Sequence, residues 1–335
     1  MRRILQILIG GTLLGAVAFF VTHGGSDDAV AAAPTTTSPA ATATTEPRGR
    51  LVIHGVGDVN TDTDYIPALA EHGHAHAWSG LGDLFTADDL TVANLECTPS
   101  ELGTPLRKEF VFRCDLGSLP VMREAGVDVV SLANNHAGDH GKEALLDGIQ
   151  QVEAAGLHAV GVGANAQQAT QPVIVDVNGW RVAVLGFGGV IPALDWLATD
   201  DRAGMADGDT IETMVAAVEA AAEISDLVVV TIHWGVERDL EPRAEDRERA
   251  EAMIAAGADV IFGHHAHRLQ PLEVVDGAPV AWGLGNFVWP NLSQESATTA
   301  IARVVVEPDG TKEACLIPAF ISSPGRPEII GDAPC

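Results

Sequence analysis

Short apolar runs that each end in a side chain able to bind metal constrain this sequence more than any other feature. The run "LVIHGVG" is followed by Asp58, and the run "LTVA" is followed by Asn94 and Glu96. A third run, "VDVVSLA", leads directly into "NNHAGDHG". Short β-branched runs bounded by Gly, Asn and Asp are typical of buried strands. Because ligands of α/β proteins bind at the carboxyl ends of strands, we expect these side chains to share one edge of the fold.

Two later runs repeat this pattern. "LVVVTI" leads to His233, and "VIFG" leads to His264, His265 and His267. Each residue alone has an ordinary explanation, since an Asp after a strand is usually a turn or cap residue and "HHAH" fits a solvated loop. Five strand ends that carry the same kinds of side chain favour one shared metal site instead.

Segments rich in Ala and Glu, with apolar residues at helical spacing, separate these runs and predict helices. Asn-Gly in "VIVDVNGWRVAV" predicts a hairpin with a type I′ turn, and "LEVVDGAPVAW" predicts a second hairpin. One sheet of mostly parallel strands cannot use all of these strands. The pattern therefore predicts an α/β fold in which two sheets pack face to face with helices outside.

The chemistry of the candidate ligands also limits the metal. They are carboxylates, amide oxygens and imidazoles, without thiolates, and such donors suit Mn²⁺, Zn²⁺, Fe or Mg²⁺. Two ions need a bridging carboxylate, and Glu96 is the candidate for that position. A site with two ions can activate water and bind a phosphoryl or carbonyl oxygen. We predict one or two divalent ions.

The N-terminal region predicts export. Two arginines precede an uncharged apolar stretch, so residues 1–25 are expected to form a signal anchor in the cell membrane, with the main domain extracellular. A cleaved signal, which would leave the protein secreted, is the alternative. Residues 26–50 are rich in Ala, Thr and Pro and are expected to be a disordered linker. The folded domain is expected to comprise residues 51–335.

The cysteines agree with an exported chain, because an even number favours disulfides there. Pairing Cys97 with Cys114 and Cys315 with Cys335 gives the shortest loops. Three pairings exist for four cysteines, and the sequence does not choose between them.

The formal net charge of −27 bears on the partners of this protein. A surface this acidic repels nucleic acid at long range, so nucleic acid is not an expected partner. The charge also keeps a secreted protein soluble. If the substrate is an anion, a local positive charge must offset the repulsion, and a bound divalent metal would supply one.

Several motifs together resemble the CapA family of poly-γ-glutamate capsule synthesis proteins, which belongs to the calcineurin-like metallophosphoesterase superfamily. They are "GDVN", "NLE", "ANNHAGDHG", "HWGVE", "GHHAH" and "GLGNFVW". The resemblance extends from about Val52 to Val288 and keeps the order of the motifs. It implies a metallophosphoesterase-like fold, a two-sheet β-sandwich flanked by helices in four layers, αββα.

The resemblance also assigns roles to individual positions. The implied metal ligands are Asp58, Asn60, Glu96, Asn135, His233, His265 and His267. Two of these depart from the superfamily pattern, because Asn60 stands where a His is usual and Glu96 where an Asp is usual. CapA-like proteins share both departures, which leave the number of ions open. His136 is implied as the general acid that protonates the leaving group.

A further group of residues is expected to support the ligands or the substrate. They are Asn94, Asn134, Glu237, His264 and Asn286. Glu237 either holds a ligand imidazole by its free N–H or is a solvated charge. Asp139 and Gly141 are expected to cap the next helix and turn the chain.

Two functions follow from the sequence and the resemblance. The first is a membrane-tethered, metal-dependent hydrolase of CapA type that acts in the synthesis or export of capsule or envelope polymer. The second is a non-catalytic, metal-containing scaffold that binds the polymer and assists a membrane synthase. In both, the expected partners are an anionic envelope polymer or its precursor and, by resemblance, membrane synthase subunits.

Overall fold

The computed structural model describes residues 47–331 and 334–335. The predicted signal anchor and most of the predicted linker therefore lie outside the described residues. No helix within the described ranges is long and apolar enough to cross a membrane. The last linker residues are held against the fold, because Gly49 N donates to Asn178 O at 2.8 Å and Trp180 Nε1 donates to Gly49 O at 2.7 Å.

Strands outnumber helices in the described part of the fold. They are β1 (Leu51–Val59), β2 (Leu90–Leu95), β3 (Val129–Ser131), β4 (His158–Val160), β5 (Val162–Gly163), β6 (Val173–Val177), β7 (Trp180–Gly188), β8 (Gly204–Met205), β9 (Leu227–His233), β10 (Val260–His264), β11 (Leu272–Val275), β12 (Ala278–Ala281), β13 (Asn286–Val288), β14 (Thr298–Val306), β15 (Lys312–Ser323) and β16 (Arg326–Ile329).

The helices lie between the strands in sequence. They are α1 (Pro67–His72), α2 (Ser118–Glu124), α3 (Lys142–Ala154), α4 (Ala166–Ala169), α5 (Ile211–Ala222), α6 (Ala244–Ala255) and α7 (Gln294–Ala297). Short 3₁₀-helices cover His74–Trp78 and Leu194–Trp196.

Two large sheets contain most of the strands. The first has the order β16-β15-β14-β1-β2-β3-β4, with β13 beside β1, and the second has the order β11-β12-β10-β9-β7-β6. The neighbours β1 to β4 are parallel, as are β7, β9, β10 and β12. Parallel strands point their carboxyl ends to one edge, so each sheet delivers several strand ends to a common region.

Apolar side chains form three layers, which explains the architecture. Between the sheets, Ile53 and Val92 pack in one cluster with Val229 and Phe262. A second cluster joins the first sheet to α1–α3, and a third joins the second sheet to α5 and α6. Parallel strands covered on both faces are apolar throughout, which is why the runs in the sequence do not alternate. The predicted αββα fold class is confirmed.

Local turn chemistry also follows the sequence. Asn178 and Gly179 have φ values of 50° and 76° between β6 and β7, and Asp276 and Gly277 have 47° and 86° between β11 and β12. Two consecutive positive φ values define the type I′ hairpin turn. Beyond the second hairpin, the chain crosses to the other sheet, where β13 pairs with β1.

Both disulfides join the cysteines that lie closest in sequence. Cys97 is bonded to Cys114, and Cys315 is bonded to Cys335. The first closes a loop of 17 residues that contains Lys108, Phe110 and Phe112. Closing a loop of this length stabilises the folded state by about 3 kcal/mol, because it lowers the entropy of the unfolded chain.

Contact between the sheets at Gly55 yields a testable prediction. A Cβ at Gly55 would lie 2.6 Å from the Phe262 ring, whereas a Cβ at Gly49 would lie 3.6 Å from its nearest neighbours. We expect Gly55→Ala to lower the free energy of unfolding by about 1–3 kcal/mol, because the facing sheet must move. Gly49→Ala is the matched control and should change it by less than about 0.5 kcal/mol. Urea denaturation measures both, and equal losses would contradict the packing described.

Candidate metal centre

Strand ends from both sheets bring most of the predicted ligands together. One group consists of Asp58, Glu96 and His267, and a second consists of Glu96, His233 and His265. Within each group the candidate ligand atoms all lie within 4.8 Å of one another. Glu96 belongs to both groups, which is the arrangement needed for a carboxylate that bridges two ions.

Asp58, next to the carboxyl end of β1, is fully buried. Its Oδ1 accepts a hydrogen bond from Asn94 Nδ2 at 2.9 Å, and its Oδ2 lies 3.1 Å from His267 Nδ1. Burial opposes the ionised form, but the hydrogen bonds from His264 and His267 outweigh it and hold the pKa of Asp58 well below its ordinary value. Asp58 is therefore a carboxylate, the form that binds a cation.

Glu96 is the most unusual group of the site. Its side chain is fully buried, and neither carboxylate oxygen has a hydrogen-bond partner among the described residues. The nearest imidazole atoms are His233 Nε2 at 3.6 Å and His267 Nε2 at 3.8 Å from Oε1. Burial and the neighbouring Asp58 raise the pKa of Glu96 well above its ordinary value.

Those unpartnered oxygens test whether the residues fit a metal ion. Buried polar groups in native proteins are almost always hydrogen-bonded, and an uncompensated buried carboxylate is strongly unfavourable. His265 Nδ1 is another buried polar atom without a hydrogen-bond partner in the protein. A divalent cation would satisfy these atoms together, and carboxylate and imidazole are suitable donors for it. The donor set fits.

The three histidines of these groups differ in protonation. Burial and neighbouring histidines lower the pKa of His233 well below its ordinary value and that of His265 to about 4. Neutral imidazole is the form that binds metal. At His267 burial favours the neutral ring, but the Glu96 and Asp58 carboxylates outweigh it and raise the pKa to about 9.

Asparagines fix the orientation of the predicted ligands. Asn135 Oδ1 lies 2.9 Å from His233 Nε2, so these two predicted ligands are in contact. Asn286 Oδ1 lies 2.8 Å from His267 Nδ1, and its Nδ2 donates to Ser296 O. Asn286 therefore holds the His267 ring from the β13 side.

Asn94 and Asn134 connect the ends of β2 and β3. Asn134 Nδ2 donates to Asn94 Oδ1 at 3.1 Å, and Asn134 Oδ1 accepts from His136 N at 3.0 Å. Asn94 Nδ2 lies 3.2 Å from His233 Nδ1. His264 contacts the same region, with Nδ1 3.5 Å from Asp58 Oδ1.

Asn60 and Glu237 are the two predicted residues whose positions differ most from the rest. Asn60 Oδ1 accepts from Asp62 N at 2.8 Å, and no contact joins its side chain to another predicted ligand in the described part of the chain. Glu237 is exposed, yet a carboxylate oxygen lies within 4.8 Å of ligand atoms of His265 and His267. Glu237 therefore lies near the ligand atoms, which a solvated charge remote from the site would not.

His136 forms a dyad with a residue that the sequence assigned to another role. Its Nδ1 lies 2.7 Å from Asp139 Oδ2, and Lys108 Nζ donates to Asp139 Oδ1 at 2.6 Å. Asp139 is not the predicted helix cap, because Gly141 takes the cap position of α3 without a side-chain bond. The His-x-x-Asp spacing in "HAGD" was the available signal for the dyad, whereas nothing local indicated Lys108.

A cavity of about 370 Å³ opens beside the cluster. Residues around it are Tyr65, Phe110, Phe112, His136, Glu237, Arg238, His267, Arg268, Asn286, Trp289, Leu292, Ser293 and Ser296. Most of the aromatic and both of the arginine residues lie outside the motifs, so the motif pattern did not identify them. The cavity reaches both His136 and His267, and a bound molecule there would meet the metal ligands and the dyad together.

Solved structures of a phosphatase and of a nucleotidase have a similar fold. A crystal structure described as a novel phosphatase from Mycoplasma pneumoniae aligns with a TM-score of 0.52 at 14% identity, over 81% of this chain and 94% of that one. The NAD nucleotidase of Haemophilus influenzae aligns with a TM-score of 0.50 at 15% identity, over 84% and 60%. At these identities the likeness concerns the fold.

The chain belongs to the bacterial capsule synthesis protein family PGA_cap, whose model matches residues 52–291. It is 30% identical to the PGA biosynthesis protein CapA of Bacillus subtilis over 76% of this chain and 68% of that protein. It is 34% identical to the capsule biosynthesis protein CapA of Bacillus anthracis over 64% and 53%. A probable polyglutamine synthesis accessory protein of Mycobacterium tuberculosis is 30% identical over 61% and 56%.

Replacing Glu96 should change the stability of the metal-free protein and its affinity for metal in opposite directions. We expect Glu96→Gln to raise the free energy of unfolding of the metal-free protein by about 1–3 kcal/mol, because a buried group without partners loses its charge. The same change should weaken Mn²⁺ binding by about tenfold or more. Chelator-treated denaturation and calorimetric titration measure the two effects. A fall in both the free energy of unfolding and the Mn²⁺ affinity would indicate a purely structural role for Glu96. Glu109→Gln, at an exposed position, is the control.

The raised pKa of His267 predicts a pH dependence in the metal-free protein. A folded-state pKa of about 9 against an ordinary 6.5 adds stability that is fully present below pH 6.5 and is lost as the pH rises through 9. We expect the free energy of unfolding in chelator to fall over this interval. His267→Gln should remove most of the fall, and the exposed His158→Gln should keep it. An unchanged slope in His267→Gln would refute the charge arrangement.

Proposed function

We propose that this protein is an exported, membrane-tethered, metal-dependent hydrolase that acts in the synthesis or export of an anionic envelope polymer such as poly-γ-glutamate. Membership of the capsule synthesis family supports the polymer. The names of the relatives from Bacillus and Mycobacterium, which refer to PGA, capsule and polyglutamine synthesis, point to the same class. The clustered donors and the neighbouring dyad support hydrolysis.

One or two divalent cations would be held by the two groups that share Glu96. The residues are Asp58, Glu96, Asn135, His233, His265 and His267. Asn60 stays a prediction for this role, and Glu237 is close enough to add a carboxylate near His265 and His267. When bound, a divalent cation supplies Lewis acidity for water and for the oxygen of the scissile group. Mn²⁺, Zn²⁺, Fe and Mg²⁺ all suit these donors.

The observation that carries the proposal is the His136–Asp139 dyad. Asp139 is fully buried and faces Nδ1 of His136, which leaves Nε2 as the nitrogen available to the cavity. Burial lowers the pKa of His136, although Asp139 opposes this shift. The imidazolium form that a general acid needs is the form that Asp139 stabilises, and the lowered pKa makes that form a stronger acid while less of the ring carries the proton at neutral pH. A site that only binds polymer has no need of an oriented proton donor.

His136 would donate its Nε2 proton to the leaving atom of the substrate. In poly-γ-glutamate that atom is the nitrogen of an amide, because the polymer contains no phosphoester. In a phosphorylated precursor it would be an ester oxygen. Lys108 and Asp139 would hold the ring in position in both cases.

A non-catalytic scaffold is the second candidate, and Asn60 favours it. Asn60 replaces an imidazole, and its Oδ1 already accepts a hydrogen bond from Asp62 N. A first ion with fewer protein ligands would bind less tightly and could serve to hold an anionic polymer for a membrane synthase.

The site of action follows from the N-terminal sequence. The apolar stretch within residues 1–25, flanked by two arginines, supports an anchor with the main domain outside the membrane. Anchoring would keep the domain near a membrane synthase, where the polymer emerges. A cleaved signal would give a secreted protein instead.

Substitution of His136 separates the two candidates. We expect the Mn²⁺-loaded full chain to hydrolyse a small aryl phosphodiester or poly-γ-glutamate, and His136→Ala to reduce kcat by about 100-fold or more. Mn²⁺ affinity should change little, because His136 is not among the grouped donors. The exposed His158→Ala is the control. Metal-dependent polymer binding without turnover, unaffected by His136→Ala, would support the scaffold and contradict the hydrolase.

A further inference from the structure

Two arginines that line the cavity, Arg238 and Arg268, form no ion pair within the described residues. The protein has 46 acidic and 19 Lys and Arg residues, so an unpaired guanidinium beside a cavity adds local positive charge to an acidic surface. Within residues 47–331, Arg238 makes no ion pair and no side-chain hydrogen bond. Arg268 donates through Nη1 to His267 O at 2.7 Å and forms no ion pair in the same range, although its charge contributes to the lowered pKa of Glu295. Their remaining donors are available to a bound anion.

The backbone holds both guanidinium groups at the mouth of the metal centre. Arg238 lies in the loop after β9 and Arg268 in the loop after β10, and Arg238 N donates to Ala266 O at 2.7 Å. Arg238 has a φ of 71°, which is unfavourable for a residue with a side chain. Strained residues of this kind are concentrated at ligand-binding sites.

An aromatic wall, formed by Tyr65, Phe112 and Trp289, lines the same cavity as these arginines. The Tyr65 and Phe112 ring centroids are 4.5 Å apart, and Tyr65 is 5.8 Å from Trp289. The wall extends to the reacting groups, because Phe112 is 4.3 Å from His136 and Trp289 is 4.7 Å from His267. Aromatic rings, two guanidinium groups and the metal ligand His267 therefore line one cavity, together with the carboxylate of Glu237.

We propose that this cavity is a polycarboxylate subsite, in which Arg238 and Arg268 bind carboxylates of a glutamate polymer and the aromatic wall packs against its methylene groups. The inference rests on the proposed function, for which it names the substrate class and the residues that select it. Guanidinium matches carboxylate geometry, and two methylene groups separate the carbonyls of each glutamate residue. The arginines, with the cation, would offset locally the repulsion from a net charge of −27.

Arginines beside aromatic rings also suit single-stranded nucleic acid. Affinity for nucleic acid depends on many phosphate contacts, however, and the cavity offers two guanidinium groups within a strongly acidic protein. A glutamate polymer needs fewer cationic contacts when its aliphatic part is also bound. These features favour the polycarboxylate.

Binding of defined polymers to the Mn²⁺-loaded full chain tests the inference. The probes are an oligo-γ-glutamate, the neutral oligo-γ-glutamine of equal length and a single-stranded oligonucleotide of equal charge. We expect Arg238→Ala with Arg268→Ala to weaken oligo-γ-glutamate binding by about tenfold or more at moderate salt. Arg238→Lys, which keeps the charge but loses the planar fork, should give a smaller loss.

Arg107→Ala is the matched control, because Arg107 is exposed and does not line the cavity. It should bind oligo-γ-glutamate as the unchanged protein does. Equal binding of the neutral oligomer, tighter binding of the oligonucleotide, or unchanged binding by the double variant would each overturn the inference. Thermal denaturation of the variants verifies that the fold is retained.

Turnover of a small aryl phosphodiester distinguishes failure of this inference from failure of the proposed function. The unchanged protein reports this turnover, so hydrolysis is measured without relying on Arg238 or Arg268. Turnover of the ester together with unchanged polymer binding in the double variant would reject the subsite and keep the hydrolase. Loss of polymer binding in a protein without any turnover would keep the subsite and reject the hydrolase.

Discussion

The fully buried carboxylate of Glu96 is the group on which the arrangement of this site depends. A buried charge without a hydrogen bond is unfavourable, and neither oxygen of Glu96 has one in the protein. Three histidines and Asp58 converge on Glu96 from the ends of separate strands in the two sheets. The histidines are His233, His265 and His267. The αββα packing makes this convergence possible, because the apolar layer between the sheets holds their strand ends at a fixed separation.

The dyad depends on a different kind of contact. Asp139 holds His136 from the same loop, but Lys108 comes from the segment closed by the disulfide between Cys97 and Cys114. The same segment contributes Phe112, whose backbone N donates to Asp139 at 2.8 Å. The disulfide loop therefore supplies both a cation for Asp139 and part of the aromatic wall.

An acidic protein that acts on an acidic polymer must overcome long-range repulsion. In this fold the positive groups that could do so are local, since Arg238 and Arg268 follow the two strands that carry the ligand histidines. A cation at the centre would add to them. The metal ligands, the dyad and the arginines lie close together at one cavity. A polymer bound by the arginines would therefore meet the reacting groups at a single point along its length.

The sequence by itself determined the strand ends, both hairpins and the type I′ turn of the first, the αββα class and the order of the motifs, because hydrophobic periodicity and turn conformation are short-range properties. It also indicated most of the clustered donors. Only the tertiary structure decided that Lys108 and Asp139 join His136, that Asn60 Oδ1 accepts from Asp62 N, and that Tyr65 and Trp289 line one cavity with two arginines. Lys108 and the residues around the cavity come from loops that are distant in sequence. The contacts of Asp139 and Asn60 are local, but they depend on side-chain rotamers, which hydrophobic periodicity does not specify.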